Sequence, residues 1–166
     1  MLDPITDPIS VQALLKVILV GLLIWAAWQD LTRLKIPNTI SLAVLGLFPL
    51  YAWTVPGEFP WLLAGLIAAV LLVLGIIAFS RGLIGGGDVK LLAATALWAG
   101  PAQVLDFLFI TAIAGGVLGL LALASARMAG IGIGALGDGK LPYGVAIAVG
   151  GIAALTILPA FAPEIF

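Results

Sequence analysis

The chain is a near-continuous succession of apolar runs separated by short polar breaks, and each run is about as long as a helix needs to cross a bilayer. Such a helix takes about 20 apolar residues at a rise of about 1.5 Å each. Runs bounded by charge, Pro or Gly predict helices over residues 11–29, 39–55, 61–80, 89–99, 102–126 and 142–159. The stretch from 89 to 126 is too long for one helix and breaks at Gly100-Pro101, because proline removes a backbone donor and clashes with the preceding turn. The fourth run is conspicuously short, and Gly150-Gly151 gives the last one a place to bend. The expected fold is therefore an all-α membrane protein, a bundle of about six transmembrane helices forming one membrane-embedded domain over residues 1–166. Composition agrees: 63% of residues are hydrophobic and 9% charged, against the roughly 45–50% apolar content of soluble domains, so lipid must solvate the surface.

The same composition removes several classes of function. A net charge of −1, with lysines and arginines scattered singly or in pairs, offers no electrostatic footprint for nucleic acid. The absence of cysteine and histidine excludes disulfides, thiol nucleophiles and the usual zinc ligands and general base. Carboxylates, a few lysines, tyrosines and serines remain for acid-base work, and neither a metal nor a cofactor is expected. The N-terminus carries Asp3 and Asp7 where a secretory signal would carry basic residues, so the first apolar run is expected to be retained. A GxGxxG at Gly132, Gly134 and Gly137 lies between two predicted membrane helices instead of in a strand-helix unit, and is read as a decoy.

Orientation follows from the basic residues, which favour cytoplasmic loops. Arg33 and Lys35 lie in the first loop, Arg81 and Lys90 about the third, and Arg127 and Lys140 about the fifth. The other side has only Lys16, inside a helix and near enough to its end to snorkel. Both termini are thus expected outside, with Asp3, Asp7, Glu58 and Glu164 on the outer side.

Two aspartates then fall at the cytoplasmic boundary. Asp30 closes the first helix, and Asp88 opens the fourth after Gly85-Gly86-Gly87. Charges near a bilayer interior cost at least about 2.5–3.5 kcal/mol each on insertion scales, so their placement needs a reason. Paired carboxylates supply one: an ionised carboxylate deprotonates water while a neutral partner hydrogen-bonds the scissile carbonyl and later donates its proton. At about 4 Å and an effective dielectric near 20, two such charges repel by roughly 4 kcal/mol, so the pair shares a proton. The glycines allow close backbone approach and, if extended, a strand-like edge for an unwound substrate. The bland reading makes Asp30 an interfacial acid paired with Arg33 and Asp88 an ordinary acid at a helix N-terminus. Asp106 and Asp138 are read as structural or peripheral, and Lys90 either balances the site's charge or marks the cytoplasmic boundary.

Three stretches together resemble the type IV prepilin peptidases, membrane aspartic proteases of the GxGD class. Asp30-Leu-Thr-Arg33-Leu-Lys35-Ile36-Pro37-Asn38 resembles the family's first-aspartate motif, Gly85-Gly86-Gly87-Asp88-Val89-Lys90-Leu91 its GxGD motif, and Leu141-Pro142-Tyr143-Gly144-Val145-Ala146-Ile147 the entry to its last helix. The resemblance implies an aspartic endopeptidase with Asp30 and Asp88 as its catalytic pair, and with Gly85, Gly86, Gly87, Lys90, Arg33, Pro37 and Asn38 contacting substrate. It implies cleavage after a glycine of the basic leader of prepilins, ahead of their hydrophobic helix, at the cytoplasmic face of the inner membrane. Larger members carry a cytoplasmic insertion with paired CxxC motifs and also N-methylate the new terminus. This chain has no cysteine and about eight residues between its first two predicted helices, so it resembles the short branch serving Flp/Tad pili, without methyltransferase activity.

Other readings stay open on the residues alone. A GxGD protease for other membrane substrates, such as preflagellins, would use the same pair. A proton-coupled transporter would place its acids at mid-membrane instead of at one face. A pilus-assembly scaffold would not need the acids. A Ser-Lys hydrolase would draw on Ser41, Ser80 or Ser125, none of which has a motif around it.

Overall fold

A computed structural model describes residues 8–55, 59–128 and 141–157. All regular structure among these residues is helical: α1 Pro8–Arg33, α2 Asn38–Thr54, α3 Trp61–Ser80, α4 Gly86–Met128 and α5 Tyr143–Ile152, which runs on into a π-helical turn, Ala153–Ile157. Helices are what such runs must form in lipid, where every backbone N–H and C=O needs a partner within the chain. Three of them, Val11–Arg33, Trp61–Ser80 and Gly86–Met128, are long and apolar enough to cross a membrane; the apolar helices Asn38–Thr54 and Tyr143–Thr156 are shorter.

α4 is not one straight rod. Gly100 takes φ 57 and ψ −170, a conformation that glycine adopts readily, and Pro101 follows with no N–H to offer. The arms 86–99 and 101–128 fold back on each other there. A Cβ added at Gly151 would lie 2.8 Å from Thr95 and 3.9 Å from Phe107, whereas twelve residues along a straight helix span about 18 Å. The break expected at Gly100-Pro101 is therefore a reversal. α5 packs between the arms: Gly150 sits against Phe107 and Thr111, and Gly115 against Tyr143 and Ala146.

Leu15, Leu19 and Leu23 of α1, Ile40 and Val44 of α2, Leu91 and Trp98 of α4 and Ile147 of α5 form the core. α3 is buried only at Ala64 and Gly75 and otherwise presents Leu, Ile and Val outward. At one end of the bundle Phe48, Phe59, Trp61 and Trp98 meet edge to face, Tyr51 stacks on Trp98 at 4.7 Å, and Lys16 Nζ lies 6.0 Å from the Tyr51 ring centroid. The Trp98 indole donates to the Val44 carbonyl at 2.8 Å. Lys16, expected to reach the interface, thus turns its ammonium toward an aromatic face.

At the opposite end, α1 runs past the expected stop at residue 29 and finishes at Arg33. Leu34 adopts φ 50 and its N–H donates to the Asp30 carbonyl at 2.9 Å, closing the last turn. Pro37 then opens α2, so the link is residues 34–37, shorter than the eight or so read from sequence. The glycine motif at 132–137, Asp138, Lys140, the outer acids Asp3, Asp7, Glu58 and Glu164, and the end of the last predicted helix lie outside the described residues.

Candidate active site

Asp30 and Asp88 are 4% and 6% exposed and line one cavity of about 410 Å³ at the end of the bundle opposite the aromatic cluster. Asp30 sits in the last turn of α1, where the helix dipole disfavours an anion. The opposing N-terminus of α5 compensates: the Gly144 N–H donates to Asp30 Oδ2 at 2.7 Å. A Cβ at Gly144 would lie 2.9 Å from Asp30 Oδ2, 3.0 Å from Asp30 Cβ and 2.7 Å from Ile36 Cδ1, so a side chain there would push Asp30 away.

Asp88 is the third residue of α4, and its Oδ2 accepts from the Gly85 N–H at 3.2 Å. This is half of a capping box, so the bland reading of Asp88 as a helix-terminal acid accounts for one oxygen. Oδ1 is buried and has no protein partner among the described residues. The carboxylate also lies within electrostatic range of Asp30 and of the Gly144 amide.

The glycines preceding Asp88 divide by what a Cβ would meet. At Gly85 it would lie 2.6 Å from Asp88 Oδ2, and at Gly87 it would lie 3.0 Å from Ile36 Cβ and 3.1 Å from the Ile36 carbonyl oxygen. Gly85 leaves room for the carboxylate, and Gly87 lets the 34–37 link close onto α4, which brings the two aspartates to one cavity. At Gly86 the nearest atom is 3.4 Å away, on the Phe79 ring, an ordinary contact. Gly86 and Gly87 begin α4, so they do not form the extended edge expected from sequence; the non-helical residues at the cavity include 34–36 and 82–85.

The remaining sequence candidates separate. Gly85, Gly86 and Gly87 line the cavity with both aspartates, whereas Arg33, Pro37, Asn38 and Lys90 do not. Lys90 Nζ donates instead to Asn38 Oδ1 at 2.9 Å, on another face of α4. Two residues along a helix turn the side chain by about 200°, so adjacency to Asp88 in sequence points Lys90 away from it. Arg33 is exposed and outside the cavity, which argues against its pairing with Asp30. Lys35, Ile36, Phe79, Leu83, Ile84 and Tyr143 are also part of the wall. Of the missed features, the Gly144 amide carried a signal, a Pro-Tyr-Gly sequence at a helix start. Asp106 does not line the cavity, and Ser80 and Ser125 donate to the carbonyls of Ile77 and Ala122 on their own helices. Among the described residues no group of three or more acidic side chains gathers as a metal site would.

Two buried carboxylates facing one cavity, each held by a backbone amide, can hold and polarise a water between them. A protein-family model, the type IV leader peptidase family, matches residues 17–120, which include both aspartates and the glycines between α3 and α4. The chain is 29% identical over 153 residues to the prepilin leader peptidase/N-methyltransferase of Bacillus subtilis (strain 168), covering 88% of this chain and 56% of that protein. It thus spans little more than half the length of that curated relative. No solved structure matches. With more than half of its residues inside the family match and both acids within it, the chain belongs to the type IV leader peptidase family.

Proposed function

We propose that the chain is a membrane-embedded aspartic endopeptidase that removes the basic leader of prepilins, cutting after a glycine at the cytoplasmic face of the inner membrane. The single observation that carries this reading is that Asp30 and Asp88, from helices far apart in sequence, are both buried and line one cavity. One carboxylate takes a proton from water, whose oxygen attacks the scissile carbonyl carbon. The other, protonated, hydrogen-bonds the carbonyl oxygen, and a proton passes to the amide nitrogen as the C–N bond breaks. Asp88 Oδ1, without a protein partner among the described residues, is the oxygen suited to that water. The irregular segment 35–37, whose Lys35 and Ile36 line the cavity, offers backbone groups to the unwound substrate.

The membrane arrangement belongs to the same reading. With α4 counted as two arms, six rods pass through the bilayer, both termini lie outside, and the carboxylates meet the cytoplasm beside Arg33, Lys35 and Arg81. The short 34–37 link has no room for the insertion seen in larger family members, which favours a peptidase of the Flp/Tad type without methyltransferase activity.

Co-expression with an Flp-type prepilin in a host lacking its own peptidase tests the proposal. Wild type should shorten the pilin, and Asp30→Asn and Asp88→Asn should leave it full length at equal membrane levels. Processing that survives either substitution would return the scaffold and transporter readings to the front.

A further inference from the structure

Round α4 from the carboxylates lies a second hollow of about 550 Å³, walled by α2, α3 and the first arm of α4. α2 and α3 each pack on that arm. They meet each other at the aromatic end, where Phe48 and Trp61 are 5.7 Å apart, and leave a slot between them toward the carboxylate end. Its wall runs from Asn38 to Leu45 on α2 and from Lys90 to Leu97 on α4, which is about 10 Å at the helical rise. That depth fits within one leaflet, about half of a 30 Å hydrocarbon core. A membrane helix about 10–12 Å across would be neither enclosed nor followed along its length; a single acyl chain would be.

The polar groups are ordered along the slot. At the rim, Lys90 Nζ donates to Asn38 Oδ1 at 2.9 Å and keeps two further N–H donors. One turn inward, Ser41 is 7% exposed, lines the slot, and its Oγ has no hydrogen-bond partner among the described residues. Beyond it the wall is apolar, with Leu45, Ala69, Ala94 and Leu97. Cation, then hydroxyl donor, then hydrocarbon is the order in which a phospholipid presents phosphate, glycerol ester and acyl chain.

We propose that this slot binds one anionic phospholipid of the leaflet on the catalytic side, with its phosphate at Lys90, an ester carbonyl at Ser41 and one chain between α2 and α3. The inference rests on the bilayer-spanning reading, not on the peptidase activity. Native mass spectrometry of the detergent-purified chain, with phosphatidylglycerol or phosphatidylcholine added, tests it without any cleavage step, so its failure leaves the peptidase reading standing.

Wild type should hold one phosphatidylglycerol through delipidation and release phosphatidylcholine earlier. Lys90→Gln should weaken retention of phosphatidylglycerol about fivefold and leave that of phosphatidylcholine unchanged. Ala69→Phe, or Leu45→Trp if the first does not elute as a folded helical protein, should abolish the single-lipid adduct for both. A folded slot-filled variant that retains phosphatidylglycerol like wild type overturns the proposal. So does a photo-crosslinker at Leu45 that captures a co-expressed prepilin helix in preference to lipid.

Discussion

The two ends of the bundle are held together by opposite means. At one, helices meet through large rings: Phe48 touches Phe59, Trp61 and Trp98, and Tyr51 stacks on Trp98. At the other they meet through missing side chains, with Gly87 against the Ile36 backbone and Gly144 against Asp30 and Ile36, while Gly85, immediately before α4, leaves room for the Asp88 carboxylate of that helix. Rings fill volume and can shift by a rotamer, so that end sets cohesion. Gly87 sets how closely the 34–37 link approaches α4, and Gly144 and Gly85 set the space left to the two carboxylates, so that end sets geometry. Precision is spent where two carboxylates must meet one water.

Gly144→Ala should break this comparison most severely. Its Cβ would fall 2.9 Å from Asp30 Oδ2, and a displacement of about 1 Å at a reacting group can cost about 100-fold in rate. Initial rates of prepilin cleavage should drop by that order while the protein still elutes as a folded species; a normal rate would show that the Asp30–Gly144 contact is dispensable. Gly87→Ala follows, with a loss of about tenfold or more, because Ile36 backbone and not a mobile side-chain tip must yield. At the aromatic end, Trp98→Phe removes the bond to Val44 and should lower stability by about 1–3 kcal/mol in a thermal melt. Cleavage well below the melting temperature should be unchanged, and a rate loss there would mean the ends are coupled. Smallest is Gly86→Ala: its Cβ meets only the Phe79 ring at 3.4 Å in a helical position, so stability should stay level or rise by about 0.4–1 kcal/mol.

Much of the architecture was legible because apolar length and proline are local signals. The helix over 61–80 was read with its observed limits, and the break at Gly100-Pro101 is where α4 turns back. α1 was cut short at 29 because its end depends on Leu34 adopting a left-handed backbone, which L residues other than Asn and Asp rarely do, at a cost of about 1–2 kcal/mol. Motif and helix parity put both aspartates at one end of the bundle, and there they line one cavity. Lys90 follows Asp88 by two residues, and the helical turn carries it to another face of α4, where it meets Asn38 of α2. The Gly144 amide lies 114 residues from Asp30, a pairing that no spacing along the chain announces.

The central claim is that Asp30 and Asp88 act as one catalytic unit. Its most direct test is the cleavage rate of a prepilin by purified chain in lipid for wild type, Asp30→Asn, Asp88→Asn and the double variant. If the pair is one unit, each single substitution lowers the rate by about 10³-fold or more and the double lowers it no further, since either change disables the same step. Single variants that retain substantial activity, or losses that multiply in the double variant, would contradict the account.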